Sequence, residues 1–209
     1  DPLNGSTGAV TPAKYWTNEN DLYTFMAYAP KDHASITLPA AKDENGEDVD
    51  VKNPAITYTV DGTLANQIDL LYAVAKDQKK QDSVPFQFKH ALSRLTVKAS
   101  TAANQQFEFR VKEITISGGF ITQDVLTLET GAWAANSTPV AVTETTPATT
   151  YTFYNEPDNA TALSTTATDY SSRTVTEGET TSTVADNYLM MIPVNFASAT
   201  ATVTVKYTT

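Results

Sequence analysis

Cysteine is absent from this 209-residue chain, and histidine occurs only twice. Without a thiol there is no disulfide framework, no thiolate nucleophile, no Cys-ligated zinc or iron–sulfur centre, and no cysteine-linked lipid in this form. Positive charge is scarce too: 14 Lys and Arg stand against 24 Asp and Glu, a formal charge of −10. Nucleic acid and anionic lipid both demand clustered bases, so neither is an expected partner. No apolar run approaches the roughly 18–20 residues of a spanning helix, and no direct membrane insertion is expected. The opening DPLNGSTGAV lacks the basic and apolar regions of an export signal. If the protein is secreted, this is expected to be its mature form.

Threonine dominates what is present, with 35 residues. The length can bury a core without covalent staples. Residues 1–112 hold 14 acids and 12 bases, whereas residues 113–209 hold 10 acids and only Arg173 and Lys206. The second half is therefore base-poor and rich in Thr, Ala, Ser and Val. Branched Thr and Val are stiff at χ1 and favour extended backbone, which points to strands joined by polar loops.

Period-two alternation supports this. In Asp21–Pro30, Tyr23, Phe25 and Ala27 share one face, and Pro30 ends the run. Ala55–Val60 is a second strand, stopped by Asp61-Gly62. Asn66–Ala75 fits both a strand and a helix face; its β neighbours favour strand. The polar stretch Lys76–Ser83 reads as a linker, which divides the chain at 1–82 and 83–209. Val84–Phe88, Leu92–Ala99 and Phe107–Ser117 read as strands, and the last changes phase near Lys112-Glu113, as a β-bulge would make it. Leu126 and Leu128 alternate after Gly118-Gly119. Val140–Thr143, Thr150–Tyr154, Tyr188–Pro193 and Ala201–Tyr207 add short strands. Asn155–Ala185 reads as a long polar loop. About ten or eleven strands and no secure helix give an all-β sandwich architecture.

Catalytic chemistry finds little support. His33 lies in a polar loop and His90 follows an apolar segment, and neither has a nucleophile motif beside it. No GxSxG, Walker-type or GxGxxG sequence occurs. A carboxylate pair for glycoside hydrolysis needs no local motif, but Trp16 and Trp133 are the only tryptophans to line a sugar cleft. Asp43, Asn45, Asp48 and Asp50 surround a glycine, yet lack the ligand spacing and final glutamate of a calcium loop, and read as a solvated acidic turn. No catalytic, metal or cofactor site is expected. Asn4, Asn136 and Asn159 open Asn-x-Ser/Thr triplets, which arise by chance in so threonine-rich a chain.

Several phrases in order carry a resemblance. Tyr15-Trp16 precedes DLYTFMAYAP; NQIDLLYAVA follows at Asn66–Ala75. VPFQFKHALSRLTVKA at Val84–Ala99 places Phe88, His90, Ala91, Leu92, Ser93 and Leu95 in a Phe-x-His-Ala-Leu-Ser-x-Leu phrase. ITISGGF, LTLETGAW, YLMMIPV and ATVTVKYTT complete the series to about Tyr207. Together they resemble the fimbrillin family of Bacteroidales, subunits of surface fimbriae and related surface lipoproteins.

The resemblance implies two transthyretin-like (Ig-like) β-sandwich lobes in tandem. It implies a structural pilin at the cell surface, derived from an outer-membrane lipoprotein precursor by proteolytic trimming. Its partners would be copies of itself or related subunits, joined by donor-strand exchange in the service of adhesion. Physically, an open sheet edge accepts a strand while alternate side chains fill the core, and a non-closing contact builds a filament. The donor strand stays open, with Asp1–Ala13 either an exchanged element or a frayed terminus. Asp82-Ser83-Val84 is similar to a bacterial O-glycosylation sequon, which makes Ser83 a candidate. The alternative reading is a tip adhesin or anchored lipoprotein that binds host glycans or protein through exposed Trp16 and Trp133. In either reading His90 is a structural residue of the recognisable phrase.

Overall fold

The structure, a computed structural model, describes residues 15–39, 45, 54–81, 83–104, 106–156, 158, 160–171, 173–177, 180–184, 187–198 and 201–209. The acidic turn expected at Asp43–Asp50 (Asn45 aside), Asn159 and the segment Asp1–Ala13 lie outside these residues.

Strands supply nearly all the regular structure, and the helical pieces among the described residues are single 3-10 turns at Leu64–Asn66 and Phe196–Ser198. In chain order the strands begin with β1 (Tyr23–Ala29), β2 (Ile36–Thr37), β3 (Ala55–Thr59), β4 (Leu71–Gln78), β5 (Lys89–His90) and β6 (Ser93–Leu95). Next come β7 (Lys98–Ala99), β8 (Arg110–Gly118), β9 (Gln123–Thr127), β10 (Ala132–Trp133), β11 (Thr149–Asn155) and β12 (Thr161–Ala162). The series closes with β13 (Thr168–Asp169), β14 (Arg173–Glu177), β15 (Thr180–Val184), β16 (Leu189–Met191) and β17 (Ala201–Thr208). The expected all-β class is what the chain adopts.

The pairings are antiparallel. One sheet runs β1-β4-β5, and a second runs β10-β9-β3-β2. In a third, β11 and β17 meet the same residues of β8: Tyr151 and Val203 both lie opposite Ile116. A strand has two edges, so β11 and β17 flank β8 on opposite sides. Two short ladders, β6-β16 and β7-β13, and the hairpin β14-β15 complete the sheets.

Alternation decides which side chains the sheets bury. Val111, Ile114 and Ile116 of β8, Tyr151 and Phe153 of β11, Ile56 and Tyr58 of β3, and Leu126 of β9 enter one buried cluster that extends to Ile192. Each such residue contributes roughly 1.5–3 kcal/mol. The phase change expected near Lys112 is present. Lys206 faces Glu113 and Tyr207 faces Val111, which leaves Lys112 as the extra residue and brings Val111 back to the buried side.

Polar side chains tie remote segments together. Gln67 is buried; its amide donates to Asp61 O at 2.7 Å, and its Oε1 accepts the Met190 N–H at 2.6 Å. The Asn187 side-chain amide donates to Phe153 O and, at 2.7 Å, to Tyr170 O. The Trp133 indole N–H donates to Ala91 O at 3.0 Å.

Several local expectations shift. The segment Asn66–Ala75 becomes strand only from Leu71, which then continues to Gln78, so the first residues of the expected linker pair with β1. Val84–Phe88 forms no strand: Pro85 offers no N–H, and Phe86 and Phe88 pack on each other at 6.3 Å instead. Val140–Thr143 is not a strand either. Val140 N–H donates to Gly119 O at 3.0 Å, and a Cβ on Gly119 would sit 2.1 Å from Val140 O, so only glycine permits this approach. The expected loop Asn155–Ala185 contains β12 to β15, because β-branched Thr favours extended backbone even without apolar alternation.

The expected division at 82/83 falls between strands that pair. β4 pairs with β5, and β3 pairs with β9 from Ala55–Thr127 to Thr59–Gln123.

Candidate functional site

The β8–β17 ladder has a lopsided face. Val203, Val205 and Tyr207 lie opposite Ile116, Ile114 and Val111, so all six side chains point to the same side of the sheet. The β8 row is buried, whereas Val203 is 55% exposed, Val205 42% and Tyr207 57%. An apolar row that belongs to the core side by register therefore stands uncovered.

The layer above it stops short. Along 93–101 the backbone bonds go to one side: β6 to β16, Val97 O to Tyr170 N–H at 2.9 Å, β7 to β13, and Thr101 N–H to Ser164 O at 2.9 Å. Among the described residues the other edge of this segment pairs with no strand, and neither does the outer edge of β17. Between these edges run two hollows. One, of about 400 Å³, is bordered by Arg94, Leu95, Ile116, Phe196 and Ala201. The other, of about 270 Å³, is bordered by Thr101, Phe109, Val111, Leu163, Val205 and Tyr207. The Phe109 and Tyr207 rings meet edge-on at 5.5 Å and wall off that end.

The result is an open seam. It has apolar side chains on its floor and unpaired backbone on its walls, the two requirements for accepting an extended strand.

The model of the fimbrillin-like family matches residues 3–209. The chain belongs to the fimbrillin-like family. No match was found among curated proteins or solved structures. Membership supports a role as a fimbrial subunit, with a location at the cell surface.

The residues singled out in the sequence fall elsewhere in this fimbrillin-like fold. Trp133 is buried, 8% exposed, and packs edge-on against Tyr58 at 6.3 Å. The expectation that it is an exposed aromatic is corrected: its indole is oriented inward by Ala91 O. Trp16 is half-buried against Tyr23 and Phe25, at 5.4 and 5.6 Å. Ser83 is exposed in the connection from β4 to β5. His33 Nδ1 accepts the Ser35 N–H at 3.2 Å and closes a turn. His90 Nδ1 lies 2.6 Å from Asp69 Oδ2. Among the described residues no cluster of His, Asp or Glu is arranged to hold a metal, and no helix is long and apolar enough to cross a membrane.

Burial and hydrogen bonding shift several ionisable groups. Burial pushes the Tyr151 hydroxyl up to about 12. Burial raises Tyr58 as well, helped by Tyr151, Asp61 and Asp69. Tyr170 is raised by burial and then by Tyr154. Asp169 is lowered by the hydroxyl and backbone N–H of Ser171, and then by Lys98.

Sequence reasoning missed the seam itself. Val203 and Val205 alternate as core residues do, and nothing in a linear pattern says whether a second layer covers them. It also missed Gln67 and Asn187, whose roles depend on backbone groups far away in the chain.

Proposed function

We propose that this chain is a structural subunit of a surface fimbria, with no catalytic step, and that subunits join by strand exchange across the seam between 93–101 and β17. The carrying observation is the row Val203, Val205, Tyr207, in register with a buried row and yet uncovered. A strand laid there from a neighbouring subunit covers these side chains and pairs with unpaired backbone. Repetition of that head-to-tail contact extends a filament.

The remainder of the reading rests on family membership. The precursor is an outer-membrane lipoprotein trimmed by a protease, and the filament serves adhesion. Two transthyretin-like lobes are best drawn by sheet membership. The sheets of β1–β5 with β9 and β10 form one, and β6–β8 with β11–β17 the other. Ser83 is the proposed O-glycosylation point, and an intact mass of cell-derived protein without hexose additions would remove it.

Assembly itself is tested by electron microscopy of protease-trimmed subunit. The native chain forms filaments, and Val205→Lys, which sets a charge on the seam floor, stays monomeric with an unchanged thermal midpoint. Filaments of normal length from Val205→Lys would place the contact elsewhere.

A further inference from the structure

The floor of the seam is apolar throughout, but its two ends differ in charge. At the Phe109–Tyr207 end the lining side chains are Ser, Thr and apolar residues. At the other end stands Arg94, which borders the larger hollow together with Leu95, Ile116 and Ala201. Resting on the strand-exchange reading, we propose that Arg94 recognises an Asp or Glu side chain on the incoming strand and thereby sets its register.

Three observations carry this. The Arg94 guanidinium carbon lies 4.4 Å from the centroid of the Tyr188 ring, so the cation is held in place over an aromatic face before any partner arrives. No carboxylate of the described residues pairs with it, whereas Lys98 pairs with Asp169 at 3.3 Å and Arg110 pairs with Glu108 at 2.5 Å. An arginine fixed through its flat face keeps its N–H fork free for a carboxylate, which that fork matches in geometry. Finally, the charge of the neighbouring copy is complementary. With 24 acids against 14 bases, its strands supply carboxylates more readily than cations.

The consequence for register is direct. Apolar side chains two residues apart fit the floor equally well after a slip of two positions, so the floor alone cannot fix the incoming strand. A single cation at one end breaks this degeneracy. It favours the one position that brings the carboxylate onto Arg94, and it disfavours a strand with a lysine there.

Synthetic strands test it. Peptides of alternating Val and Thr with a neutral solubilising tail carry Asp, Asn or Lys at one terminal position, and each is titrated into the full chain by calorimetry. The Asp peptide is expected to bind about tenfold more tightly than the Asn peptide, and the Lys peptide more weakly than either. In Arg94→Gln the three converge, and in Arg94→Glu the order of Asp and Lys reverses. Near-ultraviolet circular dichroism confirms that both variants are folded. Equal binding of all three peptides by the native chain overturns the role of Arg94 and leaves the seam standing. A preference for Asp that survives in Arg94→Gln overturns it as well. Failure of every peptide to bind overturns the strand-exchange reading, and this inference with it.

Discussion

Val203 and Ile116 are direct neighbours across the β8–β17 ladder, but Ile116 is sealed into the core while more than half of Val203 faces solvent. The same register thus holds one residue that the core encloses and one that it leaves in solvent.

Substitution separates the two. Ile116→Ala removes buried volume and is expected to cost about 2–5 kcal/mol. Val203→Thr is nearly isosteric at an open position and is expected to stay within about 0.5 kcal/mol. Urea unfolding checks both, and a large loss from Val203→Thr would mean that the row is covered in solution.

Trp133 offers a second contrast. Trp133→Phe keeps an aromatic body against Tyr58 but leaves Ala91 O without its donor. The expected loss is about 1–3 kcal/mol, read as a lower thermal midpoint. A variant that loses glycan binding at unchanged stability would restore the surface role that its burial argues against.

Tyr170 predicts the opposite sign. Its hydroxyl is buried and has no hydrogen-bond partner among the described residues. Tyr170→Phe removes an unsatisfied polar atom while the ring keeps its edge-on contact with Tyr154 at 5.0 Å. Stability is expected to hold or rise by about 1 kcal/mol, and a marked fall in denaturant midpoint would show that the hydroxyl is satisfied.

Alkaline titration reads the buried phenols together. Tyr151 is raised from its ordinary value near 10 to about 12 by burial, so the fold favours its neutral form. That contribution is complete below about pH 10, where the unfolded phenol titrates, and declines as pH rises through about 12. Tyrosinate absorbance is expected to show Tyr151 and Tyr58 ionising only in step with unfolding. Ionisation of Tyr151 and Tyr58 near about pH 10 in the folded chain would contradict their burial.

His90→Ala tests the structural reading of the recognisable phrase. It removes the 2.6 Å contact with Asp69 Oδ2, on a carboxylate whose other oxygen is already buried without a partner among the described residues. A loss of about 1 kcal/mol is expected, monitored by thermal denaturation, with filament formation retained. Loss of assembly at full stability would give His90 a direct place in the contact.

Much of the fold was legible in the chain because a half-buried strand writes its two faces alternately. Tyr23–Ala29, Ala55–Thr59, Thr149–Asn155 and Ala201–Thr208 all show it. The bulge at Lys112 was legible for the same reason, since an extra residue inverts the phase. Val84–Phe88 misled because Phe86 and Phe88 alternate, but Phe88 is exposed and Pro85 cannot join a ladder. The β14–β15 hairpin was illegible because RTVTE and TTSTV hold one valine each, too little apolar contrast to mark a face. The seam was illegible because exposure of Val203 depends on where β6 and β7 end, a relation among strands about a hundred residues apart.

The bond from the Met190 amide to Gln67 spans 123 residues, and the β3–β9 ladder must form around everything between Thr59 and Gln123. Few of the core contacts can therefore close while only the first part of the chain exists. Non-local pairing of this kind sets folding times toward milliseconds to seconds and delays closure until the segment of Met190 arrives. A chain built this way reaches its native state late, once both partners of these long-range pairings exist.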